Sequence, residues 1–214
     1  MMNCCLAQLQ TFSVQQGVTM DTSLTKNFHI PPASLTTMPL LIMLVSVPLY
    51  DHISSLLAKK SSTRISSIGP LRRIGVGLLL ASASMAVAAV VEVKRRNAVH
   101  EGTKLTVFWL GWQYVLLGVS DMFTLAGMLE FFYSEAPYSM RSLCTSLSWC
   151  STSMGYFLSS VLVDIVNSVS SRFGSSEWLG GNDLNNNRLD LFYALLAVLN
   201  FINFFHYLFW ARWY

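Results

Sequence analysis

The sequence predicts an all-α membrane protein, and two observations lead to this prediction. Of its 214 residues, 53% are hydrophobic and 12% are charged, whereas soluble globular domains carry about 25% charged residues. Five apolar stretches approach or exceed the ~20 residues that an α-helix needs to cross a bilayer. The net charge of +3 is spread over several loops, so we expect no nucleic-acid partner.

The N-terminal stretch is apolar but shorter than a full span. Residues 1–16 are typical of half a helix, and residues 17–32 are predicted to be a polar loop. Gln8, Thr11 and Gln15 are spaced by three and four residues, which places them on one helix face. Two interpretations of this face remain open: an amide stripe satisfied by neighbouring helices, or the lining of a cavity.

Five full spans follow the half-helix. Small residues four apart in the second span, such as Gly77 and Ala81, predict close approach of another helix. The last span closes with Trp210 and Trp213, which are typical of the aromatic belt at a membrane interface. The spans cover residues 33–50, 74–93, 105–132, 142–164 and 191–211.

The connectors between the spans carry most of the charge. Residues 51–73 and 93–104 are predicted loops, and residues 169–190 form a long polar loop with an asparagine run. Lysine and arginine divide evenly between alternate connectors, so the positive-inside rule predicts no orientation. One side has Lys59, Lys60, Arg64, Arg72, Arg73, Arg141 and Arg212, and the other has Lys26, Lys94, Arg95, Arg96, Lys104, Arg172 and Arg188.

The third span contains a single carboxylate. Asp121 is the one formal charge between Leu105 and Leu129. Such a group costs at least about 2.5 kcal/mol at the bilayer centre, and it usually marks a substrate or proton pathway. Asp121 is therefore our first pathway candidate, with Tyr114 on the same helix face. The alternative is a structural carboxylate capped by hydroxyls such as that of Thr124.

Aromatic and hydroxyl side chains share one face of the fourth span. Trp149, Ser153, Tyr156 and Ser160 are separated by four, three and four residues, which is the spacing of one helix face. This face predicts either packing between helices, with the hydroxyls bonded to carbonyls of their own helix, or a surface that faces substrate.

The residue pattern does not support an enzyme or a metal-binding protein. The histidines are scattered, and no serine–histidine or paired-aspartate arrangement occurs in the spans. The cysteines fall in apolar segments without the spacing of metal ligands. We expect no enzyme activity, metal or cofactor. The residues concerned are His29, His52, His100, His206, Cys4, Cys5, Cys144 and Cys150.

Several phrases occur in a particular order along the chain. They are AQLQTFSVQQGVTMD, FHIPPASL, PLYDH, LRRIGVGL, VAAVVEVKRR, LEFFYSEAPYSMRSL, GYFLSS, WLGGNDLNNNRLDLFY and NFFHYLFWARWY. In this order the chain resembles the C-terminal half of the plant nitrate/peptide transporter family, which is related to proton-coupled oligopeptide transporters in the major facilitator superfamily. The phrase GVSDMFTLAGMLEFF is most similar to the subgroup that contains abscisic-acid importers and low-affinity nitrate carriers.

The resemblance implies the C-terminal six-helix bundle of such a carrier, with its first helix truncated. The half-helix would be the seventh of twelve, and residues 51–73, 134–140 and the C-terminus would be cytoplasmic. Carriers of this kind bind substrate between two bundles that rock against each other, so the implied partner is an N-terminal six-helix bundle. A start in mid-helix would fit a truncated gene model, a splice product or a fragment, and we do not expect the chain to transport by itself.

The resemblance also implies roles for individual residues. Asp121 stands where the family usually has a glutamate that pairs with a lysine on helix four or contacts substrate, and its shorter side chain weakens the case for a peptide substrate. Trp149 and Tyr156 would be walls of the pocket. Leu6 replaces a histidine that nitrate-binding relatives can carry, so that mode of nitrate recognition is missing.

Four polar residues are predicted to belong to the cytoplasmic side. Glu130 follows Asp121 by nine residues, about 180° round the helix, so we expect it near Arg141 as part of a gate or a loop brace. Asp51 and His52 are expected in a turn that limits sliding between helices.

The predicted function is the C-terminal half of a proton-coupled symporter for a small organic anion. A weak-acid hormone such as abscisic acid is favoured over nitrate. The predicted partners are that anion, protons and membrane lipid, and the location is the plasma membrane or, alternatively, the vacuolar membrane. The competing hypothesis is a non-transporting interaction or regulatory fragment that associates with full-length relatives.

Overall fold

Six α-helices make up most of the part of the chain that the structure describes. The computed structural model describes residues 1–25, 28–60, 69–103, 105–173, 178–180 and 187–214. Lys26, Arg64, Lys104 and residues 181–186 of the asparagine-rich loop lie outside the described residues. The helices are α1 (Met2–Thr19), α2 (Met38–Lys60), α3 (Pro70–His100), α4 (Trp109–Glu135), α5 (Arg141–Phe173) and α6 (Leu189–Trp213).

Five segments of the described chain are long and apolar enough to cross a membrane. They correspond one to one with the five predicted spans, so the predicted all-α class is confirmed. The segments are Pro32–His52, Pro70–His100, Trp109–Glu135, Tyr138–Arg172 and Leu189–Trp213.

Three helices extend well beyond their predicted ends. α2 ends at Lys60, α3 at His100 and α5 at Phe173. Asp51 and His52, which were expected in a turn, therefore lie within α2, and most of the predicted loop 93–104 is helical. Lysine and arginine are good helix formers, and neither glycine nor proline occurs between Gly77 and Gly102. Gly102 has a φ of 72°, the left-handed conformation that commonly ends helices.

The connection between α1 and α2 contains structure that the sequence did not predict. Ser23–Thr25 and Phe28–His29 pair as short antiparallel strands, β1 and β2. The backbone of Asp21 pairs with the segment before α4, where its N–H donates to Leu105 O at 3.0 Å and its carbonyl accepts from Val107 N at 3.0 Å. This end of the bundle is therefore closed by backbone hydrogen bonds.

Small residues bring α3 and α4 into close contact. A Cβ on Gly77 would lie 2.1 Å from Thr124 Oγ1 and 2.9 Å from the Ser120 carbonyl oxygen. The Ser120 hydroxyl donates to the Gly77 carbonyl at 2.7 Å. The small-residue pattern of the second span therefore serves the contact between α3 and α4.

Replacing Gly77 with alanine should destabilise the bundle. The added methyl group meets backbone atoms of α4, which yield less easily than a side chain, and overpacking of this kind costs about 1–3 kcal/mol. We expect a lower melting temperature for the detergent-solubilised protein. Gly111→Ala is the matched control, because its added Cβ meets nothing within 4 Å. Equal melting of the two variants would contradict close packing at Gly77.

α6 packs along the side of α3 as an antiparallel neighbour. The Ser82 hydroxyl donates to the Ala197 carbonyl at 3.0 Å, and the Asn200 amide donates to the Leu78 carbonyl at 3.2 Å. α3 therefore lies between α4 and α6. Buried apolar side chains from α1, α3, α4 and α6 form the main core.

Candidate functional site

Asp121 lies close to the midpoint of α4 and lines a cavity of about 570 Å³. The walls come mainly from the start of α1 and from α4 and α5, with one residue each from α3 and α6. Most of the lining is apolar, including Leu125, Phe157 and Leu158. The polar residues of the lining are Asn3, Asp121, Thr124, Ser151, Thr152 and Asn203.

The Asp121 carboxylate has no hydrogen bond or ion pair with any described residue. The structural alternative predicted that the Thr124 hydroxyl caps this carboxylate. The Thr124 hydroxyl instead donates to the Ser120 carbonyl at 2.9 Å. The carboxylate is half-buried, so an uncompensated charge faces a mostly apolar cavity. Such a group is free to take up a proton or to receive a cationic partner.

The aromatic face of α5 is open in the described chain. Trp149, Ser153, Tyr156 and Ser160 are all exposed, and the Ser153 hydroxyl donates to the carbonyl of Trp149 at 3.1 Å. Tyr156 lies within electrostatic range of Asp121, but neither Tyr156 nor Trp149 is among the described residues that line the Asp121 cavity. The structure thus leaves both predicted pocket walls on the open face.

The predicted polar stripe of α1 is divided between two environments. Gln8 is buried, and its amide donates to the carbonyl and the hydroxyl oxygen of Ser159 at 2.9 and 2.5 Å. Thr11 and Gln15 are exposed. Gln8 therefore joins α1 to α5, as the first interpretation expected, because α5 packs on the side of α1 that bears Gln8.

Two other polar residues of α1 reach the site. Asn3 lines the cavity, and the Tyr156 hydroxyl lies 3.5 Å from Gln10 Oε1. Asn3 and Gln10 are seven residues apart and share a helix face. That spacing was the sequence signal that could have identified them.

Tyr114 does not share the cavity with Asp121. It is buried in the main core and is absent from the described lining of the cavity. The reason is that α2 closes on this part of α4, where a Cβ on Gly118 would meet the Pro39 carbonyl oxygen at 2.9 Å.

The Glu130 carboxylate pairs with Arg73, which corrects the expectation that it lies near Arg141. The first turn of α3 meets the end of α4 because the two helices are antiparallel. Arg73 also donates to the Tyr50 hydroxyl at 3.3 Å. These contacts brace α2, α3 and α4 at one end, next to the exposed Asp51. Arg141 instead stacks on a tyrosine ring of the α4–α5 connection, with its Cζ 3.9 Å from the ring centroid.

A fully buried ion pair lies at the other end of α3, where the predicted second span gives way to the predicted loop 93–104. Glu92 is 0% and Arg95 1% exposed, and Arg95 Nη2 lies 2.7 Å from Glu92 Oε1. The Gln16 amide donates to Glu92 Oε2 at 2.7 Å, and Arg95 Nη1 donates to Thr19 Oγ1 at 3.2 Å. The spacing of Glu92 and Arg95 by three residues, which suits a pair on one helix, was the signal for it in the sequence.

Comparison with known proteins identifies the family. The profile described as "PTR2: POT family" matches residues 1–179. The chain belongs to the POT family. It is 53% identical over 212 residues to "Protein NRT1/ PTR FAMILY 4.2" of Arabidopsis thaliana and 55% identical over 212 residues to "Protein NRT1/ PTR FAMILY 4.1" of the same plant. These alignments cover 99% of this chain but 40% and 39% of the relatives, so the chain spans about two fifths of their length.

Solved structures of POT family transporters have the same fold over this length. An auto-inhibited POT family peptide transporter matches 100% of the chain and 40% of its own, with a TM-score of 0.66 and 21% identity. The POT family transporter PepTSo matches 96% of the chain and 38% of its own, with a TM-score of 0.68 and 20% identity. The predicted transporter half-bundle is confirmed as a fold, and the chain is an integral, multi-pass membrane protein.

Proposed function

We propose that the chain forms the C-terminal half of a proton-coupled carrier for a small organic anion. A weak-acid hormone such as abscisic acid is favoured over nitrate, and the plasma membrane over the vacuolar membrane. The main support is Asp121, a carboxylate near the middle of α4 that lines a cavity of about 570 Å³ and has no ion pair among the described residues.

Proton binding to Asp121 offers a simple coupling mechanism. A protonated Asp121 is neutral and can donate a hydrogen bond to the carboxylate of a bound anion. Loss of the proton places two negative charges together, which expels the anion. Substrate and proton therefore bind together and leave together.

The lining of the cavity supports an organic anion. Leu125, Phe157 and Leu158 offer apolar contacts that suit the hydrocarbon body of a hormone. Nitrate has no such body, and the described lining contains no lysine or arginine that would bind it.

A second bundle would complete the cavity. Thr11, Gln15, Trp149 and Tyr156 are exposed in the described chain, and they are candidates for contact with the substrate or with an N-terminal bundle. In this proposal the cation that pairs with Asp121 when the proton leaves belongs to that bundle.

Exposed apolar side chains of α5 also support a second candidate function, a non-transporting interaction fragment. Leu147, Trp149, Met154 and Phe157 are 63–69% exposed, and burial of such side chains would stabilise contact with a full-length relative. A stable cellular product of 214 residues would favour this candidate. A transcript that also encodes upstream helices would favour the carrier.

Uptake measurements on the complete carrier test the first proposal. We expect labelled abscisic acid or gibberellin to enter faster at acidic than at neutral external pH, and a protonophore to abolish the difference. Protonated weak acids also cross lipid unaided, so entry into membranes without the carrier must be subtracted. Carrier-dependent uptake of nitrate alone, or uptake that does not depend on the proton gradient, would contradict the proposal.

A further inference from the structure

A separate cavity of about 670 Å³ lies between the start of α3 and the end of α6. Its described lining is apolar except for Arg72, Arg212 and Tyr207. The Tyr207 hydroxyl is engaged, because it donates to the Leu71 carbonyl at 2.9 Å. The free polar groups of this groove are therefore the two arginines.

The depth of the groove depends on Gly75. A Cβ at this position would lie 3.6 Å from the ring of Tyr207, so the missing side chain leaves open the space beside that ring. Val76, also part of the lining, is 42% exposed. The result is an apolar trough that opens on the outer side of the α3–α6 contact.

Arg72 and Arg212 lie at the same end of the groove. α3 and α6 are antiparallel, so the first turn of one helix meets the last turn of the other. Both arginines are exposed, and neither has a hydrogen bond or ion pair with a described residue. The neighbouring Arg73, by contrast, pairs with Glu130.

The surrounding aromatic residues place this end at a membrane interface. Trp210 and Trp213 are 51% and 81% exposed, and tryptophan concentrates at the level of the lipid headgroups. Arginine side chains near helix ends extend towards the same level. The two unpaired cations therefore lie where lipid phosphates are found.

We propose that the groove binds one anionic phospholipid. An acyl chain lies along Gly75 and Val76, and the phosphate lies between Arg72 and Arg212. Basic pockets between membrane helices are known to recognise anionic headgroups. A neutral lipid would fill the apolar floor but leave both cations uncompensated. This site is separate from the Asp121 cavity and does not depend on the proposed substrate.

Native mass spectrometry of the complete carrier tests the proposal. The protein in detergent is titrated with phosphatidylglycerol or phosphatidylcholine, and the bound lipid is counted. We expect wild type to retain phosphatidylglycerol more tightly, and Arg72→Gln/Arg212→Gln to weaken this retention about 30-fold, or about fivefold for each arginine. Val76→Trp, which fills the trough from its exposed side, should weaken retention of both lipids and leave the arginines in place.

Arg172→Gln is the matched control, since Arg172 is also exposed but lies at the end of α5, outside the groove. It should bind phosphatidylglycerol like wild type. Unchanged binding in the double arginine variant would overturn the proposal, as would equal weakening by Arg172→Gln. Dimerisation that Val76→Trp abolishes, without bound lipid, would also overturn it and assign the groove to a second copy.

Discussion

Replacing Asp121 with asparagine in the complete carrier is expected to remove most of the proton-dependent part of uptake. Asparagine keeps the shape of the side chain but can neither bind a proton nor lose one. We expect the acidic stimulation of uptake to fall about tenfold, within the 1–3 kcal/mol typical of coupling between sites. The measurement is the initial uptake rate as a function of external pH, normalised to the amount of carrier in the membrane.

Two variants distinguish a role in proton coupling from loss of structure. Asp164→Asn is the matched control, because Asp164 is an exposed carboxylate on α5 outside the described cavity lining, and it should leave the pH profile unchanged. Asp121→Glu keeps a titrating group and should restore much of the stimulation. If Asp121→Asn transports with an unchanged pH profile, Asp121 has no part in coupling.

The sequence identified Asp121 because a charge in an apolar run is visible without knowledge of any neighbour. The residues that surround Asp121 could not be identified in this way. Gln8 and Gln10 differ by two positions on α1, yet one binds Ser159 of α5 and the other reaches Tyr156. Which residue faces the cavity depends on how α1 is oriented against α5. The close approach of Gly155 to Asn3 joins residues that lie far apart in the sequence, so the sequence alone does not predict that orientation.

The ends of the helices were less predictable for an electrostatic reason. Hydropathy treats each charge as if it were alone in lipid, so Glu92 and Arg95 were placed at the edge of a span and in a loop. Their mutual ion pair and the amide of Gln16 compensate the charges and allow α3 to continue. Gln16 lies 76 residues away, and only the tertiary structure brings it to Glu92.

Replacing Arg95 with methionine should destabilise the protein more than the other substitutions proposed for it. Methionine fills similar space but leaves Glu92 buried without its cation, and breaking a buried pair in this way costs about 3–5 kcal/mol. The expected result is a matching loss in the free energy of unfolding, measured by titration with a denaturing detergent. Arg96→Met is the matched control, because the Arg96–Asp190 pair is partly exposed and should cost about 1 kcal/mol or less.

The double variant Glu92→Gln/Arg95→Met separates the two contributions to this loss. It removes both charges and keeps an amide that can bond to Gln16, so most of the stability lost in Arg95→Met should return. If the double variant is as unstable as Arg95→Met, the packing of the arginine, and not the uncompensated charge of Glu92, holds α3 to α1. If Arg95→Met and Arg96→Met unfold alike, Glu92 is not confined in the apolar interior that the structure gives it.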